Sequence, residues 1–277
     1  METPQTPAKT MQHSFRFGLS PSMGAGARDG AALLERFFTR TLGKLAEVTV
    51  AQSYDGLGKD VLSGKLDAAW APPFVCARLE AMGTRVVARG VRRGSASYRA
   101  ALLCRVSRPL SLDRLEGAKA AWVDRDSVGG YLLPLALLRT RGMDPSKVFF
   151  SQEFFGSYRG AVEAVLSEKA DVASVYALPA STEQGEGTSA TGLEEILPGK
   201  SAEMKVIAFT DEAPNDGVVC SMNMAPETMR ALEKVIMEMH QTPEGAALLK
   251  DIFHAERFEP APRLGYRSLY RVALATL

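Results

Sequence analysis

Three consecutive segments, Ala120–Asp124 (AAWVD), Arg125–Gly142 (RDSVGGYLLPLALLRTRG) and Met143–Gly160 (MDPSKVFFSQEFFGSYRG), decide the fold. An apolar run ends in a small polar turn, a helical pattern follows, and a second apolar run leads to a Gly-Ser turn that opens another helix. This βαβα order predicts parallel strands with crossover helices. Helices that begin just after such strands direct backbone N–H groups and a positive dipole end to one edge of the sheet, where small anions bind. The turns at Ser127 and Ser157 are therefore the first candidates for a ligand site.

The length and composition indicate a globular protein of two domains. A chain of 277 residues is long for a single core, and 46% hydrophobic with 23% charged residues is ordinary for such proteins. The formal net charge of +1 leaves no overall field that would attract nucleic acid or a membrane surface. No apolar run approaches the ~18 residues of a membrane span.

The N-terminal sequence METPQTPAKTMQHS is polar and contains no apolar segment of the secretory type. We therefore expect residues 1–13 to be a disordered lead. From the sequence as it stands the protein is expected in the cytoplasm, or in the periplasm if a leader has been removed.

Cysteines and histidines indicate neither a metal site nor a catalytic site. The cysteines are odd in number and stand in apolar runs, which predicts buried free thiols (Cys76, Cys104, Cys220). The histidines are far apart in the chain (His13, His240, His254). No zinc-type spacing occurs, and no histidine lies in the candidate turns where a Ser–His pair would need one. We expect no cofactor and no metal.

The order of the predicted elements favours an α/β protein with two lobes and a ligand cleft between them. Two βαβα units follow one another, and later strands and helices return to the first unit. We expect lobe 1 to comprise residues 14–104 and 205–277, and lobe 2 to comprise residues 105–204. The apolar run Lys205–Phe209 is the predicted return strand to lobe 1.

The order and spacing of several pieces resemble the phosphate/phosphite/phosphonate substrate-binding proteins of ABC transporters, over roughly residues 14–270. The pieces are FRFGLSP (15–21), SYDGLGKDVLSGKLDAAWAPP (53–73), YRAALLCR (98–105), LEGAKAAWVDRDSVGGYLLPLALLRTRGMDP (115–145), FFGSYRGAVEAVLSEKADVASV (154–175) and APNDGVV (213–219). The resemblance implies the type II periplasmic-binding-protein fold, each lobe being a mixed sheet flanked by helices. It also implies a small-molecule ligand, a monomer and an ABC permease as partner.

The resemblance also implies the ligand-binding residues of lobe 2. The family's Ser-x-Ser-Gly-Tyr pattern stands here as Ser127-Val128-Gly129-Gly130-Tyr131, so Gly129 replaces a serine that would donate to the phosphonate. The family's Gly-Ser-His stands here as Gly156-Ser157-Tyr158, so a tyrosine replaces a histidine donor.

Four further positions are implied as ligand-binding by the same resemblance. Phe74 stands where the family usually has a tyrosine after the third strand. Three others match residues that line the end of the cleft receiving the remainder of the ligand (Tyr54, Tyr98, Asp216).

The two departures from the family pattern alter the expected ligand. A charge-assisted hydrogen bond to an anion contributes ~1.5–3 kcal/mol, so two lost donors cost ~3–6 kcal/mol. A micromolar affinity corresponds to only about −8 kcal/mol. Because the N–H groups of Val128, Gly129 and Gly130 and the Tyr158 hydroxyl remain, we expect an anion site of altered specificity.

A purely structural interpretation stands beside each candidate. Ser127 and Ser157 are also good helix N-caps. Tyr54, Phe74 and Tyr98 are also plausible core or hinge aromatic residues, and Asn-Asp-Gly at Asp216 is itself a turn signal. A local run of arginines is either a solvated strand edge or a docking surface for an acidic partner (Arg85, Arg89, Arg92, Arg93, Arg99).

We expect a solute-binding protein without chemistry of its own, whose closure on a small polar or anionic ligand is passed to an ABC permease or a cytoplasmic sensor. The alternative is a cytoplasmic enzyme on the same fold, resembling those of menaquinone and thiamin synthesis. A third possibility is a scaffold that has lost its ligand.

Overall fold

The computed structural model describes residues 14–21, 27–180 and 187–270, and the predicted lead of residues 1–13 lies outside them. The chain divides into two compact units. Among the described residues, unit 1 comprises 14–21, 27–90 and Asp216–Arg263, and unit 2 comprises 91–180, 187–215 and 264–270. The chain therefore crosses between the units after Gly90, after Asn215 and again after Arg263, whereas the sequence analysis expects crossings after residues 104 and 204 only.

Twelve strands lie within the described residues. They are β1 (Phe15–Leu19), β2 (Ala46–Val50), β3 (Ala68–Ala71), β4 (Arg85–Val91), β5 (Ser97–Arg105), β6 (Ala118–Trp122), β7 (Phe149–Phe154), β8 (Val172–Ala177), β9 (Met204–Phe209), β10 (Ala213–Pro214), β11 (Gly217–Cys220) and β12 (Arg257–Pro260).

The α-helices of the described residues lie in the connections between these strands. They are α1 (Ala27–Leu42), α2 (Tyr54–Leu62), α3 (Pro73–Ala81), α4 (Leu133–Thr140), α5 (Pro145–Val148), α6 (Tyr158–Leu166), α7 (Leu193–Ile196), α8 (Pro226–Glu238) and α9 (Pro243–Leu248). A wider π-helical turn, Val128–Leu132, leads into α4, and a second one, Leu249–Phe253, follows α9. No helix of the described residues is long and apolar enough to cross a membrane.

The sheet of unit 1 is mixed, with the strand order β12-β4-β11-β3-β1-β2. Strand β1 is parallel to β2 and β3, so these three strands end at one edge of the sheet, and α2 and α3 begin just beyond β2 and β3. Strand β11 is antiparallel to β3, with Gly217 opposite Ala71. Asp216 therefore lies at the same edge as the starts of α2 and α3.

The sheet of unit 2 is also mixed, with the strand order β10-β5-β8-β6-β7. Strand β6 is parallel to β7 and β8, and β5 is antiparallel to β8, with Arg99 opposite Ala177. Tyr98, at the start of β5, therefore lies at the edge where β6, β7 and β8 end. The turns that hold Ser127 and Ser157 follow β6 and β7 at this same edge.

Strand β9 explains why the unit boundaries differ from those expected. We expected Lys205–Phe209 to return to lobe 1, but β9 pairs antiparallel with β5 over Ala101–Arg105 and belongs to the sheet of unit 2. Strand β5 itself pairs with β8, β9 and β10. Both strands are apolar along most of their length, and hydrophobic pattern alone does not say which sheet a strand joins.

Each unit has its own aromatic and aliphatic core. In unit 1 the indole of Trp70 lies edge-on to Phe253 and Phe258, at ring-centroid distances of 5.3 and 5.4 Å. In unit 2 the fully buried Trp122 lies edge-on to Phe149 at 5.6 Å. The three cysteines are buried, as the sequence predicts, and burial raises the pKa of the Cys220 thiol to about 12. These packed layers hold the helix starts at the sheet edges in place.

Candidate binding edges of the two units

The turn after β6 forms a capped helix start. The Oγ atom of Ser127 accepts a hydrogen bond from the N–H of Gly130 at 3.1 Å, and the Ser127 N–H donates to the carbonyl of Asp124 at 3.1 Å. The first turn is wide, because the N–H of Leu132 donates to the Ser127 carbonyl five residues back, at 3.0 Å. The N-cap interpretation of Ser127 is therefore confirmed. The first N–H groups of a helix have no partner within it, so those of Val128 and Gly129 are directed out of its start.

Two neighbouring glycines let other residues approach this helix start closely. A Cβ atom on Gly130 would lie 2.4 Å from Cγ2 of Val123, which excludes any side chain there. A Cβ atom on Gly129 would lie 2.7 Å from the Tyr158 hydroxyl oxygen and 3.2 Å from Cε2 of Tyr98. The fold thus brings Tyr98 and Tyr158, two of the predicted site residues, against Gly129.

Ser174 fixes the same turn through a hydrogen bond from the sheet. Its side chain is fully buried on β8, and its hydroxyl donates to the carbonyl of Gly129 at 2.7 Å. The peptide group between Gly129 and Gly130 is therefore held at both ends, by Ser174 at the carbonyl and by Ser127 at the N–H. Sequence reasoning missed Ser174, because it reads as an ordinary strand residue 45 positions away.

The helix start after β7 repeats this design. The Oγ atom of Ser157 accepts from the N–H of Gly160 at 3.0 Å, and Gly156 has the positive φ of 73° that favours glycine. Tyr158 is the first residue of α6, and its ring lies edge-on to that of Tyr176 at 5.5 Å. Its ring is thus placed by the cap on one side and by Tyr176 on the other.

Tyr176 is in turn held by charged neighbours that the sequence analysis did not single out as partners. Its hydroxyl donates to Glu195 at 2.7 Å, and Glu195 also forms an ion pair with Arg93. The Arg93 guanidinium lies 5.3 Å from the centre of the Tyr176 ring. Burial, and then the hydrogen bond to Glu195, raise the pKa of Tyr176. A Cβ atom on Gly192 would lie 2.0 Å from Cζ of Tyr176, so this ring has no room to shift toward that glycine.

The arginine run contains residues with partners in their own unit. Arg85 pairs with Glu233 at 3.3 Å, and Arg89 pairs with Glu259 at 2.7 Å. The buried Arg99 stacks 3.7 Å from the centre of the Phe209 ring and donates to the carbonyl of Leu178. With their charges offset or covered locally, these arginines do not favour docking of an acidic partner.

Three predicted residues lie at the same edge of the unit 1 sheet. Tyr54 is the first residue of α2, which Ser53 caps by accepting from the N–H of Gly56 at 3.0 Å. Phe74 is buried in the first turn of α3, and the carbonyl of Asp216 accepts from the N–H of Gly90 at 3.0 Å.

Beside Tyr54, the carboxylate of Asp55 pairs with Lys59 at 2.7 Å and with Arg78 at 3.4 Å. The hydrogen bond from Lys59, followed by the charges of Lys59 and Arg78, lowers the pKa of Asp55. This carboxylate is therefore already partnered, and Tyr54, Phe74 and Asp216 remain the ligand candidates of unit 1.

The structure thus gathers the predicted residues into two groups, each at the end of the parallel strands of its own sheet. Unit 1 holds Tyr54, Phe74 and Asp216. Unit 2 holds the remaining seven (Tyr98, Ser127, Val128, Gly129, Gly130, Ser157, Tyr158). Across residues 14–21, 27–180 and 187–270, no three His, Cys, Asp or Glu side chains are grouped so that they could hold a metal ion.

A family model described as "ABC transporter, phosphonate, periplasmic substrate-binding protein" matches residues 18–264. The chain belongs to this family. The resemblance inferred from the sequence is thereby confirmed, and the family's proteins are substrate-binding components of ABC transporters that act in the periplasm. They bind small molecules and work with a permease.

Solved structures similar to this chain have the type II periplasmic-binding-protein fold, which confirms the fold expected from the sequence. A Xanthomonas citri protein solved with ATP has a TM-score of 0.76 and 18% identity, over 94% of this chain and 96% of that one. A binding-protein component of an ABC phosphonate transporter from Pseudomonas aeruginosa has a TM-score of 0.69 and 20% identity, over 95% and 86% of the two chains. PhnD1 from Prochlorococcus marinus in complex with methylphosphonate has a TM-score of 0.71 and 16% identity, over 95% and 98%.

Proposed function

We propose that this member of the phosphonate-binding family is a non-catalytic solute-binding protein that takes a small oxyanion at the sheet edge of unit 2. The observation that carries the proposal is the meeting of two capped helix starts, at Ser127 and Ser157, with the rings of Tyr98 and Tyr158 at Gly129. Family membership supports the solute-binding role, and the altered residues at 129 and 158 support an altered specificity.

The two serines are suited to contact an anion while they cap their helices. Each Oγ atom accepts a hydrogen bond from a backbone N–H, which leaves its own proton for donation. The N–H groups of Val128 and Gly129 and the dipole of the helix add further attraction for negative charge. Hydrogen bonds of this kind contribute ~1.5–3 kcal/mol each to an anion, so three or four of them together contribute about 4.5–12 kcal/mol, a range that includes the roughly 8 kcal/mol of a micromolar affinity.

Charged side chains near the turn favour a ligand with a single negative charge. Asp124, Arg125 and Asp126 immediately precede Ser127 and are exposed, so they bring two negative charges and one positive charge to it. Arg93 is engaged by Glu195, and Arg159 by Glu163 at 3.6 Å. Positive potential at the turn therefore comes mainly from backbone N–H groups, and a dianion is balanced less well than a monoanion.

Tyr54, Phe74 and Asp216 of unit 1 remain predicted ligand-binding residues. We expect Tyr54→Phe and Asp216→Asn each to change affinity for the native ligand. Equal affinity in both variants would remove these residues from the proposed site.

Calorimetric titration of the purified protein with four probes tests the proposed ligand class: methylphosphonate, inorganic phosphate, methanesulfonate and acetate. We expect at least one probe to bind and a monoanion to bind more tightly than phosphate does. A probe at 100 times its Kd adds about 2.7 kcal/mol to the free energy of unfolding, which thermal unfolding detects. No binding by any of the four would overturn the oxyanion assignment.

Product analysis of the bound probe separates the binding protein from an enzyme on the same fold. We expect the probe to be recovered unchanged after long incubation. Turnover would support the enzyme alternative instead.

The proposed partner is an ABC permease, and the proposed location is the periplasm, where the family's proteins work. Cell fractionation of the natural host tests the location, and light scattering tests the expected monomer. A cytoplasmic protein would instead point to the sensor role.

A further inference from the structure

The hydroxyl of Tyr158 fills the space that a side chain at position 129 would need. A Cβ atom on Gly129 would lie 2.7 Å from that hydroxyl oxygen, well inside ordinary van der Waals contact. The next ring atom, Cζ of Tyr158, would lie 3.9 Å from the same Cβ, which is an ordinary contact. One oxygen atom therefore accounts for the whole conflict between Tyr158 and a side chain at position 129.

We infer that Gly129 and Tyr158 together determine the ligand specificity of unit 2. Position 129, at the helix start between β6 and α4, has no room for a hydroxyl group, and Tyr158 of α6 supplies a hydroxyl there instead. The inference rests on the proposed function of unit 2 and names the residues that set its ligand preference. Only one of the two positions can bear a hydroxyl group at this place, because both groups would occupy the same volume.

Both members of the pair are fixed by their surroundings. On one side, the Gly129 carbonyl accepts from the buried Ser174 hydroxyl at 2.7 Å, which holds the peptide in place. On the other side, the Tyr158 ring begins a capped helix and lies edge-on to Tyr176, whose hydroxyl is bound by Glu195. A substitution at position 129 therefore cannot be absorbed by a small shift of either partner.

The chemistry of the hydroxyl defines the ligand group that this pair selects. A phenol O–H is a neutral donor that stays protonated at physiological pH, and it reaches the helix start from a rigid ring. A small oxyanion such as a phosphonate, sulfonate or carboxylate can accept from this hydroxyl and from the outward N–H groups of Val128 and Gly129 together. The pair therefore selects a ligand that places an oxygen at this turn.

A stability cycle tests the packing of the pair without any ligand. The variants are Gly129→Ala, Tyr158→Phe and the double variant, compared by thermal unfolding. We expect Gly129→Ala to lower the midpoint by at least about 3 °C when Tyr158 is present, and by clearly less when it is added to Tyr158→Phe. Equal losses in both backgrounds would overturn the steric coupling. The alanine change itself serves as the control for backbone effects, because it is the same in both backgrounds.

Moving the hydroxyl from one position to the other tests the specificity role, with methylphosphonate, methanesulfonate and acetate as probes. We expect Tyr158→Phe to weaken the best probe at least about fivefold. The double variant Gly129→Ser with Tyr158→Phe should recover affinity to within about threefold of the parent or reorder the three probes, whereas Gly129→Ala with Tyr158→Phe should do neither. No loss in Tyr158→Phe, or the same result with serine and alanine, would overturn the inference.

The two experiments separate failure of the inference from failure of the proposed function. If the parent protein binds none of the probes, the proposed oxyanion site fails and the specificity role falls with it. The stability cycle still decides whether Gly129 and Tyr158 are sterically coupled.

Discussion

The hydroxyl of Ser174, at 0% exposure in the middle of β8, donates a 2.7 Å hydrogen bond to the backbone carbonyl of Gly129. This contact joins the central part of the unit 2 sheet to the first turn of the helix that follows β6. It fixes the direction of a peptide group whose neighbours are the proposed ligand donors. A residue far from any ligand thereby positions the residues that would touch it.

Replacing Ser174 by alanine should lower the free energy of unfolding by about 1–3 kcal/mol, because the Gly129 carbonyl is left buried without its donor. Urea denaturation measures this loss. Ser107→Ala, at an exposed position, is the control and should stay within about 0.5 kcal/mol of the parent. Equal stability of the Ser174 and Ser107 variants would show that the buried hydrogen bond contributes nothing.

Replacing Ser127 or Ser157 by alanine should cost about 1 kcal/mol of stability through the lost helix cap and should also weaken ligand binding several-fold. Thr242 caps α9 with the same geometry, accepting from the N–H of Gly245 at 3.0 Å, but lies outside both candidate edges. Thr242→Ala should therefore lose a similar stability and keep full affinity. Denaturation and calorimetric titration of the three variants measure the two effects separately. Full affinity in the Ser127 variant would leave that residue with a capping role alone.

Stability should fall with rising pH above about 9 through the thiol of Cys220. Burial, followed by the charge of Glu233, raises its pKa from 9.0 to about 12 in the folded protein. The thiol's contribution to the free energy of unfolding is fully present below the pKa that Cys220 has in the unfolded chain. It is lost as the pH rises toward the folded pKa, because the thiol loses its proton first in the unfolded chain. Between pH 9 and pH 10.5 the loss amounts to roughly 1–2 kcal/mol.

Urea denaturation of the parent protein and of Cys220→Ala over this pH range isolates the effect of the thiol. The variant should show a shallower decline, since the other ionisable groups are shared. Parallel declines in the free energy of unfolding would mean that folding does not suppress ionisation of the Cys220 thiol.

Asp67→Ala should lower the stability of unit 1 by about 1–2 kcal/mol. The expected loss is small for a charged pair because the side chains of Asp67 and its partner Arg16 are both partly exposed. The Asp67 carboxylate accepts from the backbone N–H of Arg16 at 2.8 Å and from its guanidinium at 2.9 and 3.2 Å, which ties the start of β3 to β1. Asp60 pairs with Lys65 at 3.5 Å on a more exposed surface and offers a control. We expect Asp60→Ala to change the unfolding free energy by less than about 0.5 kcal/mol in denaturant titrations. A loss for Asp67→Ala no larger than for Asp60→Ala would contradict this account.

The local features of the fold were predictable from the sequence because their causes are local. Serine after an apolar run is a favoured N-cap residue, which predicts the caps at Ser127 and Ser157, and both form. The βαβα order likewise predicts that the Ser127 and Ser157 turns lie at one sheet edge. The wide π-helical turn after Ser127 was not predicted, since its apolar spacing does not differ visibly from that of an α-helix.

The features that depend on distant partners could not be predicted in this way. Ser174 and Tyr176 act through Gly129 and Glu195, and nothing in the strand sequence around them names those partners. The sheet membership of β9 depends on its pairing with β5, a choice between two apolar sheets that the pattern of one strand leaves open. The family pattern pointed to positions 129 and 158 separately, but only the three-dimensional arrangement shows that the two substitutions share one volume.

Because Tyr158 packs closely against Gly129, engineering a different ligand preference at this turn should begin with a substitution at position 158. A mutant library randomised at position 129 alone should yield mostly damaged proteins, while the same library built on a parent that already carries Tyr158→Phe should tolerate the smallest side chains, which then have only the 3.2 Å contact with Tyr98 to relieve.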